Sequence, residues 1–462
     1  MGRMLGREGV WRESMGAAKT GRANIVAAAW RLGLYGILAL SPFIVEGFSE
    51  EQEFPEPIMY SLGKAAALLG FSMLALQFGL SARIKWFERP FGLDRVMRFH
   101  KWAGITAGVL VVSHPVNLAI GGAGWEMILS VRSPWQIAIA KVAMAVLIVS
   151  GVMSLYRLAL RLEFQKWRLI HDASAPVILG LGLVHAWTLG SDLRGMPAEK
   201  ALFALLAAAA AAGLVYVRIV GPLWRRMRSY EVRSVKQETR NVWTVELAPP
   251  TGRKRFDFLP GQFQFLTLYR KGLPVEEHPF TISSSPTLEG AHTSTIKESG
   301  DFTVTIGKTK AGDRAAVEGP FGRFSYVLHP EEKDIVFIAG GIGITPLMSM
   351  LRHMRDTAWD GDVLLLYANR TEADIAFREE LAAMERGGTP RLKVAHVLGD
   401  AKEGWQGEKG YIDAEKIKRL CVDACGKAFY LCGPPPMMMK IRGTLRGLGV
   451  ARRRIHYEFF SL

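Results

Sequence analysis

Cysteine is nearly absent: Cys421, Cys425 and Cys432 are the three in 462 residues, all near the C-terminus. Three thiols build no disulfide framework and cannot ligate an ordinary four-cysteine iron–sulfur cluster. Cys421 and Cys425 are four apart and would share a face on a helix; they read as core or loop thiols. No calcium-binding loop pattern occurs, so regulation of that kind is not expected. Acidic residues are in deficit, 43 against 58 Lys and Arg, for a net charge of +15. Such a balance fits nucleic acid or a membrane protein with basic inner loops, and the placement of the charges decides.

Apolar residues make up 49% of the chain, high for a soluble protein. About 20 apolar residues cross a bilayer as a helix. Six such runs fill the first half: Ile25–Phe48, Ile58–Leu80, Trp102–Ile120, Gln136–Leu155, Ala173–Leu189 and Ala201–Val220. No small-residue cleavage pattern follows the first, which reads as a membrane helix rather than a cleaved leader. Basic residues crowd the N-terminal tail (Arg3, Arg7, Arg12, Lys19, Arg22) and the loops after runs two, four and six. The first alternate loop carries Glu46, Glu50, Glu51, Glu53 and Glu56 with no basic residue. The positive-inside rule then expects both termini in the cytoplasm, and it accounts for much of the basic excess without nucleic acid.

Run three, entered through Arg98-Phe99-His100-Lys101-Trp102, carries His100 and His114, and run five, entered through Ile170-His171-Asp172, carries His171 and His185, each pair 14 residues apart. Fourteen helical steps fall about 40° short of four turns and rise about 21 Å. Both histidines of a pair therefore point to nearly one side, one near each membrane face. Ionisable groups inside spans are costly and mark function by default. A lone intramembrane histidine can simply bond a neighbouring helix, but two parallel helices with identical spacing suit more. His100 stands level with His171, and His114 with His185, so each pair can hold one haem iron from both axial sides. Bis-histidine ligation fills the iron and favours electron transfer over oxygen binding. Arg95, Arg98 and Lys101 suit haem propionates, although an ordinary basic inner loop reads equally well.

After Trp224 the composition becomes that of a soluble protein. Segments such as Asn241–Leu247 and Gln262–Tyr269 are β-rich, and a small antiparallel barrel suits Tyr230 to about Tyr326. Within it stands His278-Pro279-Phe280-Thr281-Ile282-Ser283-Ser284-Ser285-Pro286. Phe280 suits stacking on a flavin ring and Thr281 hydrogen bonding to it. Lys297 and Gly300-Asp301-Phe302-Thr303 offer a cation, backbone donors and a hydroxyl for a pyrophosphate. Each piece alone reads as a surface turn; their order and spacing are specific. From Asp334 the pattern alternates β and α. Strand Asp334–Ala339 leads into Gly340-Gly341-Ile342-Gly343-Ile344-Thr345-Pro346 and an apolar helix, Leu347–Met354. Glycines there let a phosphate approach the backbone and a helix N-terminus. Pro346 stands where the third glycine of the dinucleotide fingerprint would be. Strand Asp362–Tyr367 ends near Arg370, which suits the 2′-phosphate of NADPH or is a surface arginine. Strand Ala428–Leu431 leads into Cys432-Gly433-Pro434, a rigid turn that suits a place over the nicotinamide. The chain ends Phe459-Phe460-Ser461-Leu462, where an aromatic can shield the flavin.

The paired histidines, His278–Thr281, Gly340–Pro346 and Leu431–Pro436 occur in the order found in the ferric reductase and NADPH oxidase superfamily, which this chain resembles over nearly its whole length. The resemblance implies a membrane all-α six-helix bundle fused to an antiparallel β-barrel FAD domain and an α/β parallel-sheet nucleotide-binding domain. Expected boundaries are a cytoplasmic tail 1–24, a bis-haem domain 25–224, an FAD domain 225–328 and an NAD(P)H domain 329–462. His100, His114, His171 and His185 would ligate two b haems. His278, Pro279, Phe280, Thr281, Ser283, Ser284, Lys297, Gly300 and Thr303 would contact FAD. Gly340, Gly341, Gly343, Thr345, Pro346, Arg370, Cys432, Gly433 and Pro434 would line the NADPH or NADH site. Phe280, Thr281, Cys432 and Phe460 would flank the hydride transfer. His278 replaces the arginine usual in soluble reductases, and Ser461 and Leu462 follow the terminal aromatic. The implied activity is transmembrane oxidoreduction in a bacterial inner membrane, from cytoplasmic NAD(P)H to oxygen or ferric iron outside. The alternative is electron delivery to another membrane or periplasmic redox protein. A soluble flavin reductase with a hydrophobic anchor is a third reading.

Overall fold

The structure is a computed structural model and describes residues 21–46, 56–189 and 197–458. The chain divides into two compact units, Met1–Gly221 and Pro222–Leu462.

The first unit is helical. Its long helices are α1 (Gly21–Glu46), α2 (Ile58–Ser81), α3 (Leu93–Leu118), α4 (Trp135–Leu155), α5 (Phe164–Leu189) and α6 (Pro197–Val215). Six are long and apolar enough to cross a membrane. Only 6% to 33% of each span is buried within the protein, so the remaining apolar surface requires lipid. Both α3 and α5 begin nine residues before the apolar runs do, at Leu93 and Phe164. Hydropathy marks where apolar side chains start, whereas Arg95, Arg98, Lys166 and Arg168 sustain a helix about as well as leucine does. His100 and His171 consequently sit inside their helices rather than at the first turn. Helix α6 continues through a π turn, Tyr216–Val220, into Gly221–Met227. Glu50, Glu51, Glu53, Arg3, Arg7, Arg12 and Lys19 lie outside the described residues.

Glycines bring α2 and α3 together. A Cβ on Gly63 would stand 3.0 Å from Leu118 Cδ2 and 3.1 Å from the His114 carbonyl. One on Gly70 would stand 2.7 Å from Val111 Cγ2 and 3.2 Å from the Ala107 carbonyl. Seven residues separate these glycines, so they share a helix face. Small residues let backbones approach where lipid gives no hydrophobic drive to association.

The second unit holds two six-stranded sheets. The first comprises β1 (Tyr230–Thr239), β2 (Val242–Ala248), β3 (Phe263–Tyr269), β4 (Glu277–Thr281), β5 (His292–Lys297) and β6 (Arg314–Phe321). Its order is β4-β3-β6-β1-β2-β5, with every pairing antiparallel. A single bridge, Ile282 to Ser294, joins the end of β4 to β5, so no continuous ladder closes the expected barrel among the described residues. The chain turns away there: Ser283 and Ser284 bond back to β5, and Pro286 has no amide to donate. Val232, Val245, Leu266, Leu268 and Ile306 form its core.

The second sheet comprises β7 (Asp334–Gly340), β8 (Asp362–Asn369), β9 (Arg391–Leu398), β10 (Glu408–Lys409), β11 (Ala428–Cys432) and β12 (Ile455–Tyr457). It is parallel throughout, in the order β10-β9-β8-β7-β11-β12. Helices α7 (Ile344–Asp356), α8 (Arg378–Gly387), α9 (Ala414–Leu420) and α10 (Pro435–Gly447) connect its strands. Separate apolar clusters cover its two faces, which is why β7 reads as a continuous apolar run. Cys421 is buried at the end of α9, and exposed Cys425 lies in a separate 3-10 turn, so the two share no helix face.

Candidate functional site

The four histidines of the first unit meet in the foreseen pairs. His100 and His171 have ring centroids 6.3 Å apart, and His114 and His185 6.5 Å. Two imidazoles sharing one metal, each bonded at about 2 Å, place their centroids about 6 Å apart. Helix α3 packs chiefly on α2 and α5 on α4, so the histidine helices face one another across these ring pairs. The spacing fits one bis-histidine iron in each pair.

Hydrogen bonds fix which nitrogen is free. His114 Nδ1 lies 2.9 Å from the Gly63 carbonyl, and His185 Nδ1 lies 3.0 Å from the Gln136 carbonyl. A carbonyl only accepts, so each Nδ1 carries the proton and Nε2 keeps its lone pair. Such outer partners orient ligating histidines. His171 Nδ1 lies 3.4 Å from both Ser150 and Ser154 hydroxyls, and Trp167 stacks on the ring at 5.5 Å. His100 Nδ1 is buried and turned towards the Gln77 backbone, outside strict hydrogen-bond geometry. Asp172 pairs with Arg218 and, at 3.8 Å, with Arg168. Arg98 is engaged by Asp94 at 3.0 Å. Spacing alone revealed the four rings but none of these partners.

In the second unit, β4 presents His278, Pro279 and Phe280 half-buried, with Thr281 buried opposite Phe263. His278 stacks on Phe302 at 4.4 Å and lies 6.1 Å from Phe280. Its Nε2 stands 2.8 Å from Glu276. The Arg270 guanidinium lies over Phe302, 5.0 Å from its centroid. Phe302 thereby joins the β4 motif to the Gly300–Thr303 turn. Thr303 Oγ1 accepts from the Ser299 and Gly300 amides at 2.8 and 2.9 Å, so it shapes that turn. Ser283 and Ser284 spend their hydroxyls on Thr293, Thr295 and the Thr293 amide. Lys297 ends β5, half-buried.

The glycine-rich turn and the β11 end form one construction. A Cβ on Gly343 would lie 2.3 Å from the Cys432 carbonyl, and one on Gly340 2.8 Å from Pro434 Cδ. One on Gly433 would lie 3.1 Å from the Gly340 Cα. Backbone thus meets backbone at Gly343 and Gly433, which only glycine permits, whereas at Gly340 the Pro434 and Met437 side chains fill the space. Gly341 has φ +53° and open space beyond it, the side from which a ligand can approach. Thr345 and Pro346 are buried in the first turn of α7, where Thr345 Oγ1 donates to the Ile342 carbonyl at 3.0 Å. The Cys432 thiol is 1% exposed. Burial, with Glu458 adding to it, pushes that thiol well above the ordinary range, so it stays protonated. Arg370 is 82% exposed and bonds Asp400 at 2.8 Å. Phe460 lies outside the described residues.

The sequence reading missed the fastening between the two sheets. Arg352 on α7 donates to the Ser283 carbonyl at 2.7 Å and grips Glu380 with two bonds, at 2.8 and 2.6 Å. Ser349 donates to the Ser284 carbonyl at 2.7 Å, and Thr287 to Asp356 at 2.6 Å. The end of the β4 motif is therefore held by the helix that follows the glycine-rich turn. No motif marks Arg352, because its partners lie 69 and 28 residues away.

Three family models match in succession. Residues 66–182 match the ferric reductase like transmembrane component, 227–325 an FAD-binding domain, and 337–443 the oxidoreductase NAD-binding domain. The glycine betaine monooxygenase reductase subunit of Pseudomonas aeruginosa is 34% identical over 213 residues, 45% of this chain and 57% of that protein. The stachydrine N-demethylase reductase subunit of Rhizobium meliloti is 32% identical over 243 residues, 52% of this chain and 68% of that protein. Thus the chain spans only about half to two thirds of these relatives' length. Among solved structures, the FAD/NAD-binding domain of a Vibrio cholerae nitric oxide dioxygenase is 25% identical, with a TM-score of 0.45, over 50% of this chain and 97% of that one.

Proposed function

We propose that this chain, a membrane-linked NAD(P)H and FAD oxidoreductase with the domain architecture of the ferric reductase and NADPH oxidase type, moves electrons from cytoplasmic NAD(P)H through FAD and two b haems to an acceptor outside. Oxygen, giving superoxide, and ferric iron are the acceptors proposed. When bound, the nicotinamide supplies a hydride, the flavin divides the pair into single electrons, and the haems relay them.

The chain's own residues position and insulate. His100 and His171 would hold the inner iron, and His114 and His185 the outer, through Nε2. His278, Pro279, Phe280, Thr281, Ser283 and Ser284 would shape the flavin ring's seat, with Phe280 stacking and Thr281 bonding. Lys297, Gly300 and Thr303 would face the pyrophosphate. Gly340, Gly341, Gly343, Thr345 and Pro346 would receive the nucleotide's phosphates, and Arg370 a 2′-phosphate if NADPH is the donor. Cys432, Gly433 and Pro434 would lie at the nicotinamide, with Phe460 as its cover on the flavin. The neutral Cys432 thiol adds no negative charge where hydride leaves. Both termini would be cytoplasmic, in a bacterial inner membrane, with domains bounded near residues 24, 224 and 328.

The observation that carries this reading is the pair of imidazole couples at 6.3 and 6.5 Å on two parallel spans. Anaerobic addition of NADPH or NADH to the detergent-purified protein should reduce b-haem bands, and oxygen or a ferric chelate should reoxidise them. Flavin reduction without any haem band would overturn the wire.

A second reading is favoured by the relatives' names, since both are reductase subunits. The same relay would then feed a membrane or periplasmic redox protein. Slow reoxidation by oxygen and by ferric chelates alike, with fast reoxidation on adding a membrane fraction, would select it.

A further inference from the structure

A second cluster of ligand-type side chains lies in the second unit, apart from the flavin and nucleotide motifs. His329 follows the 3-10 turn Tyr326–Leu328. Glu332 is three residues on, its amide bonded to the His329 carbonyl at 3.0 Å. His456 is the middle residue of β12, in register with Tyr430 on β11. The two imidazoles lie with centroids 4.1 Å apart, and His456 Nε2 stands 2.9 Å from Glu332 Oε1. One ligand atom from each of the three lies within 4.8 Å of the others.

We infer that His329, Glu332 and His456 form a site for one divalent transition-metal ion of the zinc class. Two imidazoles and a carboxylate, with a fourth position left open, make a ligand set that zinc accepts. A tetrahedral ion bonded at about 2 Å sets neighbouring ligand atoms about 3.3 Å apart. The widest pair here therefore needs to close by at most about 1.5 Å. His329 can make that movement, since its side chain is 34% exposed against 14% for His456 and 7% for Glu332. The same exposure gives the ion its path from solvent and a place for a water. Binding at His456 Nε2 requires the tautomer that carries its proton on Nδ1, and the Nε2–Glu332 contact is then replaced by a bond from each to the ion.

The surroundings support a ligand role. The other Glu332 oxygen accepts from the Tyr430 hydroxyl at 2.7 Å, the kind of outer bond that orients a ligating carboxylate. Tyr430 also stacks on His456 at 4.5 Å and fixes its ring plane. Of the other charges nearby, Glu331 stands 3.9 Å from His329 Nδ1, and Arg323 acts on the same ring in the opposite sense. Strand β12 is an edge strand held to β11 over three residues. An ion here would tie it to the turn that enters β7.

The test is equilibrium dialysis of the full-length, FAD- and haem-loaded protein in detergent against micromolar zinc, with zinc per chain counted by mass spectrometry. Zinc is counted separately from haem iron. Wild type should hold one more zinc per chain than His329→Ala, Glu332→Gln or His456→Ala. Tyr430→Phe should keep the site but weaken it about 10- to 100-fold. His329→Ala is the decisive variant, because its exposed side chain can be removed without opening the core. Equal zinc counts in wild type and His329→Ala, both with full FAD content, would overturn the site.

Discussion

Arg352 sets the alignment of the two sheets, and removing it gives a measurable change in hydride transfer. Its guanidinium serves the Ser283 carbonyl at 2.7 Å and both oxygens of Glu380, and it lies 4.8 Å from the centre of the Phe377 ring. In Arg352→Leu the carbonyl of Ser283, a fully buried residue, loses this donor. An unsatisfied buried acceptor costs about 1–3 kcal/mol. The ion pair adds about 1 kcal/mol at most, since Glu380 is 32% exposed and screened. Together these give about 1–4 kcal/mol against the docked arrangement, or about 5- to 700-fold in its equilibrium constant at 1.4 kcal/mol per decade. A misplacement of 1 Å between reacting groups costs about 100-fold in rate. Stopped-flow reduction of the bound flavin by NAD(P)H should therefore slow about 5-fold or more, with haem content unchanged. Arg352→Lys should recover part of the loss, because one bond to the carbonyl is retained. Unaltered flavin reduction in Arg352→Leu with full FAD occupancy would refute this role.

Other outcomes follow from the same geometry. Alanine at His114 or His185 should lower haem from two to one per chain by the pyridine haemochrome assay and spare the inner pair; His100 or His171 should do the reverse. Gly70→Leu should separate α2 from α3, because even a Cβ would stand 2.7 Å from Val111, and a loss of bound haem with normal FAD content would report it. His292 is fully buried among Tyr230, Phe256 and Phe258, and burial, with Arg255 adding to it, lowers its pKa from 6.5 to about 3. A folded value below the unfolded one means stability present above about pH 6.5 and lost as pH falls towards 3. His292→Leu should flatten that acid loss, read from the pH dependence of thermal FAD release.

Much of the fold was legible because its signals are local. A bilayer demands long apolar runs, and the parallel sheet demands buried strands, so both stood out as composition. The 14-residue histidine spacing survived because helical periodicity is a property of one chain segment. The helices begin before the apolar runs, at Leu93 and Phe164, because hydropathy does not register a charged but helix-forming turn. The partners of the histidines stayed hidden for a different reason. Gly63 and Gln136 act through backbone carbonyls, which every residue has, and Arg352 acts across sequence distances that no motif spans. Thr303 was expected as a hydroxyl beside backbone donors for a pyrophosphate; in the fold its oxygen accepts from the Ser299 and Gly300 amides itself.

The weld of Gly340 and Gly343 onto the end of β11 divides the nucleotide-binding end of the sheet into two walls with different histories open to them. One wall is main chain against main chain, where almost any side chain is excluded, so mutation has little to work with. The other ends in solvent-facing Arg370 and its partner Asp400, whose exchange disturbs no packing. If Arg370 meets a 2′-phosphate as proposed, donor preference would change by surface substitutions alone, while the backbone contacts of the glycines stay as they are.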